Sequence, residues 1–195
     1  MIILASAILS IAVSFFTPQY FMASFYSFLI IIFISALVKK AYAYYLEADT
    51  KTKFWSLYHY GFKKMAHFRR PLPMLWLPLI LAPLGFPWLA ILETEIIART
   101  ERVSKRHGLY RFSEMTDWHI AIINTFGIVA VLILAVVGYI AGYDAFSQLA
   151  VMYALWSVVP IGSLDGTKIF FGSRFLWTTL ALFAIIIFGW LMLVV

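Results

Sequence analysis

The chain contains no cysteine, and only 12% of its 195 residues are charged. Without cysteine it cannot form disulfides, thiolate zinc sites, iron–sulfur centres or cysteine nucleophiles. Soluble domains are about a quarter charged, whereas 64% of this chain is apolar. The composition therefore excludes a soluble globular enzyme and predicts an integral membrane protein embedded in the lipid bilayer. Lys and Arg outnumber Asp and Glu by 15 to 9, and in so apolar a chain this excess predicts membrane-orienting charge, with no nucleic acid as partner.

Five apolar runs approach the length of about 20 helical residues that a bilayer crossing requires. The predicted fold class is therefore an all-α, multi-pass membrane protein, with about five transmembrane helices in one domain that covers residues 1–195. The predicted spans are residues 2–16, 21–38, 118–142, 145–161 and 175–195.

A sixth apolar run, residues 71–92, contains five of the seven prolines in the chain. An interior proline removes a helical hydrogen bond and clashes with the preceding turn. Because non-helical backbone is tolerated in a membrane only where protein covers it, this run is predicted to be a re-entrant or interfacial segment packed against the bundle. A full crossing ranks second, since it would place one of two basic segments outside.

Those basic segments flank the proline-rich run, with eight Lys and Arg in residues 39–70 and five in residues 99–111. If the run enters and leaves on one side, all 15 basic residues lie on the cytoplasmic side, as the positive-inside rule requires. The predicted orientation has the N-terminus and the basic loops in the cytoplasm and the C-terminus outside.

A small β-structure is predicted at the cytoplasmic membrane surface, within residues 92–113. Residues 92–99 and 108–113 are short and partly alternating, and a charged turn joins them, which is typical of a β-hairpin. Residues 50–58 alternate polar and apolar side chains and could add a third strand.

Asp165 is the ionisable residue that best qualifies as lying inside the apolar bundle, where a charge is costly and needs a reason to exist. It belongs to the stretch PIGSLDG, residues 160–166, in which one proline and two glycines interrupt the preceding helix. One interpretation is a carboxylate presented from unwound backbone. The other is a polar turn at the cytoplasmic face, followed by Lys168 and Arg174.

The pattern Pro160-x-x-x-Leu164-Asp165-Gly166 resembles the second motif of the site-2 protease family of intramembrane zinc metalloproteases. The chain looks closest to the small, archaeal-type members of that family. In that family the motif reads Asn-x-x-Pro-x-x-x-Leu-Asp-Gly, and its aspartate ligates zinc. The resemblance implies that two further ligands belong to a His-Glu-x-x-His motif on an earlier transmembrane helix, which puts both imidazoles on one helix face.

This chain contains no His-Glu-x-x-His. On the match with the family, Ser35 stands at the first histidine, Ala36 at the glutamate and Lys39 at the second histidine, while Ser157 replaces the asparagine of the second motif. The resemblance therefore implies a member that has lost its catalytic residues. An ammonium at Lys39 would repel a dication, so no cofactor is expected.

Lys39 and Asp165 are predicted to form an ion pair, a structural clamp in which each charge offsets part of the desolvation cost of the other. The alternative is that Lys39 and Lys40 extend to the cytoplasmic surface, as long basic side chains near helix ends commonly do.

The predicted function is that of a catalytically inactive, site-2-protease-like membrane protein, which binds or scaffolds a membrane-protein client or a partner subunit. One alternative is an active intramembrane zinc metalloprotease with non-standard ligands. That enzyme would bind zinc through Asp165 and one or two of the four histidines: His59, His67, His107 and His119. The other alternative is an accessory subunit of a larger membrane complex.

Overall fold

A computed structural model of the chain describes residues 1–59, 67–99 and 115–194, with the backbone alone at residues 58–59 and 67–70. The described part is mostly helical. Its α-helices are α1 (Ile2–Val13), α2 (Phe21–Tyr45), α3 (Leu77–Leu81), α4 (Asp117–Ile140), α5 (Asp144–Val158), α6 (Asp165–Gly172) and α7 (Arg174–Val194). Its strands are β1 (Ala48–Phe54), β2 (Ser56–His59), β3 (His67–Pro73) and β4 (Leu92–Ala98). Short 3-10 turns cover Pro18–Tyr20, Met74–Trp76 and Ala82–Leu84.

Three described segments are long and apolar enough to cross a membrane: Pro18–Tyr45, Asp117–Ile140 and Arg174–Val194. The predicted spans at residues 2–16 and 145–161 correspond to the shorter helices α1, with 12 residues, and α5, with 15 residues. Both fall below the roughly 20 residues that span a hydrocarbon layer. Helix length by itself therefore supports three crossings, fewer than the five predicted.

Helix α4 lies at the centre of the bundle, where it packs against α2, α5 and α6. Helix α1 packs against α2, and α7 packs against α5 and α6. Aliphatic and aromatic side chains from these helices, and from the chain before β4, form one apolar core. Its members include Leu9, Phe28, Ile31, Leu89, Ile91, Val131, Ala135, Val151, Ile169 and Leu180.

Strand β4 pairs with β1 in the described part of the chain, in an antiparallel register from Ala48 opposite Ala98 to Phe54 opposite Leu92. The sequence had instead placed residues 92–99 beside residues 108–113, which lie outside the described residues. The predicted third strand at 50–58 is interrupted at Trp55, because Phe54 ends β1 and Ser56 begins β2, which pairs with β3. Within the described residues, the β-structure therefore consists of two two-stranded sheets.

The proline-rich run forms no continuous helix, as its prolines predicted. It consists of the end of β3, three short helical turns, a left-handed Gly85 (φ +73°) and an extended stretch that leads into β4. Both ends meet at Trp55, since Met74 N–H donates to the Trp55 carbonyl (2.9 Å) and Trp55 N–H donates to the Ile91 carbonyl (2.8 Å). Because β1 precedes the run and β4 follows it, their pairing brings the two flanks of the run together.

Candidate functional site

The centre of the site is a buried ion pair between α2 and the start of α6. Lys39 and Asp165 are each 6% exposed, and the Lys39 ammonium donates to Oδ2 of Asp165. The structure thus brings together the two residues that the sequence paired across 126 positions. The alternative, in which Lys39 extends to the surface, is wrong for Lys39, while the neighbouring Lys40 is exposed.

Thr94 in β4 completes the contacts of this pair. Its backbone N–H donates to Oδ1 of Asp165 (3.2 Å), and its hydroxyl accepts from Lys39 Nζ (3.1 Å). Both carboxylate oxygens of Asp165 therefore have donors. The sequence analysis missed Thr94. In the sequence, Thr94 is a polar residue between the apolar Leu92 and Ile96, which lie on the same side of a partly alternating strand. That pattern could have identified it as a candidate.

Lys168 binds the same strand from one turn further along α6. Its Nζ donates to the carbonyl of Thr94 (2.5 Å), so side chains of α6 satisfy both backbone groups of this residue. Next to it, the Ser163 hydroxyl donates to the buried carboxylate of Glu93. Three hydrogen bonds therefore join the turn before α6 and the first turn of α6 to two consecutive residues of β4, Glu93 and Thr94.

The charges in this cluster compensate one another. Burial by itself raises the pKa of Asp165, but the ammonium groups of Lys39 and Lys168 outweigh it and hold that pKa below its usual range. Burial also lowers the pKa of Lys168, despite the opposing charges of Asp165 and Glu93. Asp165 is therefore a carboxylate at neutral pH, and its charge is already paired within the protein.

Gly127 on α4 makes room for Lys39. A Cβ at Gly127 would lie 2.3 Å from Cε of Lys39, so a larger residue there would displace the lysine. One turn earlier on α2, the hydroxyl of the buried Ser35 donates to the Gly127 carbonyl (3.4 Å). Ser35 and Lys39 thus share the α2 face that packs on α4, as i and i+4 positions do, while Ala36 between them is half-buried.

The rest of the motif turns the chain from α5 into α6. Pro160 is exposed, whereas Leu164 immediately before α6 is buried. Gly166 allows α6 to approach the end of α5, because a Cβ there would lie 2.2 Å from the Val158 carbonyl oxygen. Gly162 has a positive φ of +59°, and a Cβ at Gly162 would lie 2.8 Å from Nε1 of Trp55. These residues position Asp165 against β4.

The residues present do not fit the zinc site that the resemblance implies. The Asp165 carboxylate faces the Lys39 ammonium at the position where the resemblance implies an imidazole. His119 lies at the start of α4, where its Nδ1 contacts the Thr116 hydroxyl. The structure does not describe the side chains of His59 and His67, and His107 lies outside the described residues. Among the side chains that the structure describes, no three of His, Asp or Glu are grouped closely enough to hold a metal ion.

Together, the fold and the site define a mostly helical protein whose described residues include three helices capable of crossing a membrane. A buried ion pair joins α2 to α6, and both of its residues contact Thr94 of β4. Comparison of the chain with protein-family models, with curated proteins and with solved structures finds no match.

Proposed function

We propose that this chain is a catalytically inactive membrane protein of the site-2-protease type, which binds membrane-protein clients or partner subunits without cutting them. The observation that carries the proposal is the Lys39 ammonium on the Asp165 carboxylate. In the family this carboxylate ligates zinc, and an ammonium at the neighbouring ligand position both neutralises the carboxylate and repels a dication. Lys39 thus replaces the metal as the counter-charge of Asp165.

The proposed topology has five crossings, with the N-terminus and the basic loops in the cytoplasm and the C-terminus outside. Asp165 and Lys168 of α6 bind Thr94 of β4, so α6 lies at the end of the bundle where α4 begins. This position supports a crossing by α5 that returns the chain to the side from which α4 started. Helix α5 is about 22 Å long, shorter than a hydrocarbon layer of about 30 Å. Local thinning of the bilayer accommodates such a mismatch.

Single-cysteine labelling tests this topology without background, since the chain has no cysteine of its own. We expect Asp49→Cys and Ile97→Cys to react with an impermeant maleimide from one side of the membrane, and Tyr143→Cys to react from the other. All three positions are exposed. Labelling of Tyr143→Cys from the same side as the other two would contradict the membrane crossings by α4 and α5.

Client binding is proposed to occur beside β4. A cleft of about 420 Å³ runs along this strand. It is lined by Lys53 of β1, Glu93–Ile96 of β4, Asp117 and Ile120 of α4, Gly162 and Ser163 of the turn before α6, and Thr167, Lys168 and Phe171 of α6. An extended segment can add to a sheet edge through backbone hydrogen bonds, and an inactive protein of this type would hold the segment without hydrolysis.

The metal content of the detergent-purified protein tests whether the chain is inactive. We expect elemental mass spectrometry to find no more zinc in the wild-type protein than in Asp165→Ala, because Lys39 already occupies the carboxylate. A content of about one zinc per chain that is lost in Asp165→Ala would overturn the proposal. It would instead favour a metalloprotease with non-standard histidine ligands.

A further inference from the structure

The proline-rich run contains a closed hairpin, residues 74–91. Its first limb is the apolar helical stretch Met74–Leu84, its tip is the left-handed Gly85, and its return limb is residues 86–91, which lead into β4. Both ends of the hairpin bond to the backbone of Trp55. Because the two ends meet at one residue, a hairpin that entered a bilayer would return to the side on which it entered.

Each limb is about as long as one leaflet of a bilayer is thick. The helical limb has 11 residues and is about 16–20 Å long, since residues rise about 1.5 Å in an α-helix and about 2.0 Å in a 3-10 helix. The six residues of the return limb reach at most about 20 Å. A hydrocarbon layer is about 30 Å thick, so each limb can reach its midplane and neither can cross it.

The tip pairs its own backbone polar groups, as the interior of a bilayer requires. The Gly85 N–H donates to the Ala82 carbonyl (2.9 Å), and the Phe86 N–H donates to the Leu81 carbonyl (3.2 Å). With the left-handed glycine, these two bonds form a Schellman motif, which caps the last carbonyls of a helix. Pro87 follows and has no N–H that needs an acceptor. The tip can therefore enter hydrocarbon at a lower cost than a turn that relies on water.

One face of the helical limb is a row of exposed apolar side chains. Trp76 is 61% exposed, Ile80 63% and Leu84 75%, and their spacing of four residues places them on one side of a helix. On the other side, Pro78 and Ala82 are buried, and α3 packs against α1. The limb therefore has one face on the protein and one apolar face directed outward.

Acyl chains are the occupant that this row fits. Residues 71–92 contain no Asp, Glu, Lys or Arg. Leu89 and Ile91 of the return limb lie in the core that also includes side chains of α2 and α4, two helices long and apolar enough to cross a membrane. The segments outside the described residues, 60–66 and 100–114, contain six Lys and Arg, for which an apolar row offers no partner.

We propose that residues 74–91 are inserted into one leaflet of the bilayer, from the side on which β1 and β4 lie. Gly85 is then near the midplane, and Ile80 and Leu84 contact the acyl chains. Trp76, near the entrance, lies at the level of the lipid headgroups, where tryptophan is favoured. This inference is independent of client binding and requires only that the chain is embedded in a membrane.

Nitroxide labels on single cysteines test these depths, and the chain has no cysteine of its own that would also be labelled. The full-length variants Trp76→Cys, Ile80→Cys and Leu84→Cys are reconstituted in phosphatidylcholine vesicles. Collisions of each label with oxygen, which concentrates in hydrocarbon, are compared with collisions with a water-soluble nickel chelate. We expect the oxygen-to-nickel ratio to rise several-fold from Trp76→Cys to Leu84→Cys, with Ile80→Cys between them.

Two control positions calibrate the scale. Ile133→Cys, at a position on α4 that is 58% exposed, should report acyl chains, and Asp49→Cys, at an exposed position on β1, should report water. If Leu84→Cys lowers the folded yield, the comparison of Ile80→Cys with Trp76→Cys still gives the direction of insertion.

Each outcome decides the proposal. A ratio at Leu84→Cys that exceeds the ratio at Trp76→Cys and approaches that of Ile133→Cys supports the inserted hairpin. Equal ratios along the row, above that of Asp49→Cys, would show a segment lying flat at the membrane surface and overturn insertion. Ratios equal to that of Asp49→Cys would overturn lipid contact altogether. Reaction of Leu84→Cys with an impermeant maleimide from the side opposite to Asp49→Cys would show a full crossing and also overturn the hairpin.

Discussion

Replacing Lys39 with methionine is expected to destabilise the protein by about 3–5 kcal/mol, the range measured when one partner of a buried ion pair is removed. The loss leaves the buried carboxylate of Asp165 without its closest counter-charge and takes a donor from the Thr94 hydroxyl. The free energy of unfolding of the detergent-solubilised protein, measured by denaturant titration, provides the test.

The double variant Lys39→Met/Asp165→Asn separates an uncompensated charge from lost packing. Its asparagine carbonyl still accepts from the Thr94 N–H but carries no charge, so most of the lost stability should return. Lys40→Met removes an exposed lysine from the same helix and should change stability by less than about 0.5 kcal/mol. If the double variant were no more stable than Lys39→Met, the ion pair would not be the source of the effect.

A second large effect is expected from Ser35→His/Lys39→His, which should create a zinc site. The two positions are four residues apart, both are buried, and both face Gly127. Two imidazoles at i and i+4, with the Asp165 carboxylate, make three of the four ligands that zinc commonly takes. We expect about one zinc per chain by elemental mass spectrometry, against background in the wild type.

Two variants show whether that zinc uses the intended ligands. Adding Asp165→Ala should abolish binding, because it removes the third ligand. Ser35→His/Lys40→His should bind no zinc, since position 40 is exposed on another face of α2. If Ser35→His/Lys39→His binds no zinc while the protein remains folded, the match of α2 with the lost motif is wrong. The variant would have a ligand set without protease activity, because Ala36 supplies no carboxylate.

The ion pair was predictable because two separate signals led to it. Asp165 carries a charge between apolar runs, where burial of a charge is costly. The motif around it resembles a family motif whose aspartate shares a zinc ion with ligands on an earlier helix, which matches the second predicted span. Lys39 then followed as a cation at a position where the family has a metal ligand. Neither residue alone predicted the contact, and the register of α2 came from the resemblance and not from its apolar pattern.

Thr94 and Lys168 were not predicted as partners of this pair. A threonine in a short strand and a lysine after a helix start are ordinary surface residues in sequence. Their roles depend on the pairing of β4 with β1, which leaves the backbone of Thr94 directed toward α6. The break at Trp55 was missed for a similar reason, since it comes from backbone hydrogen bonds to Met74 and Ile91.

What the sequence by itself determined are the properties that composition and local chemistry control. The apolar content predicts helices that can cross a membrane, the prolines of residues 71–92 prevent a continuous helix, and the glycines around Asp165 permit a sharp turn. Only the tertiary structure decided which strand pairs with β4 and that the backbone of Thr94 donates to the Asp165 carboxylate. The contact of Thr94 with Asp165 joins residues 71 positions apart, and no local periodicity encodes such contacts. They form because burying a charge is favourable only when donors from distant elements meet around it.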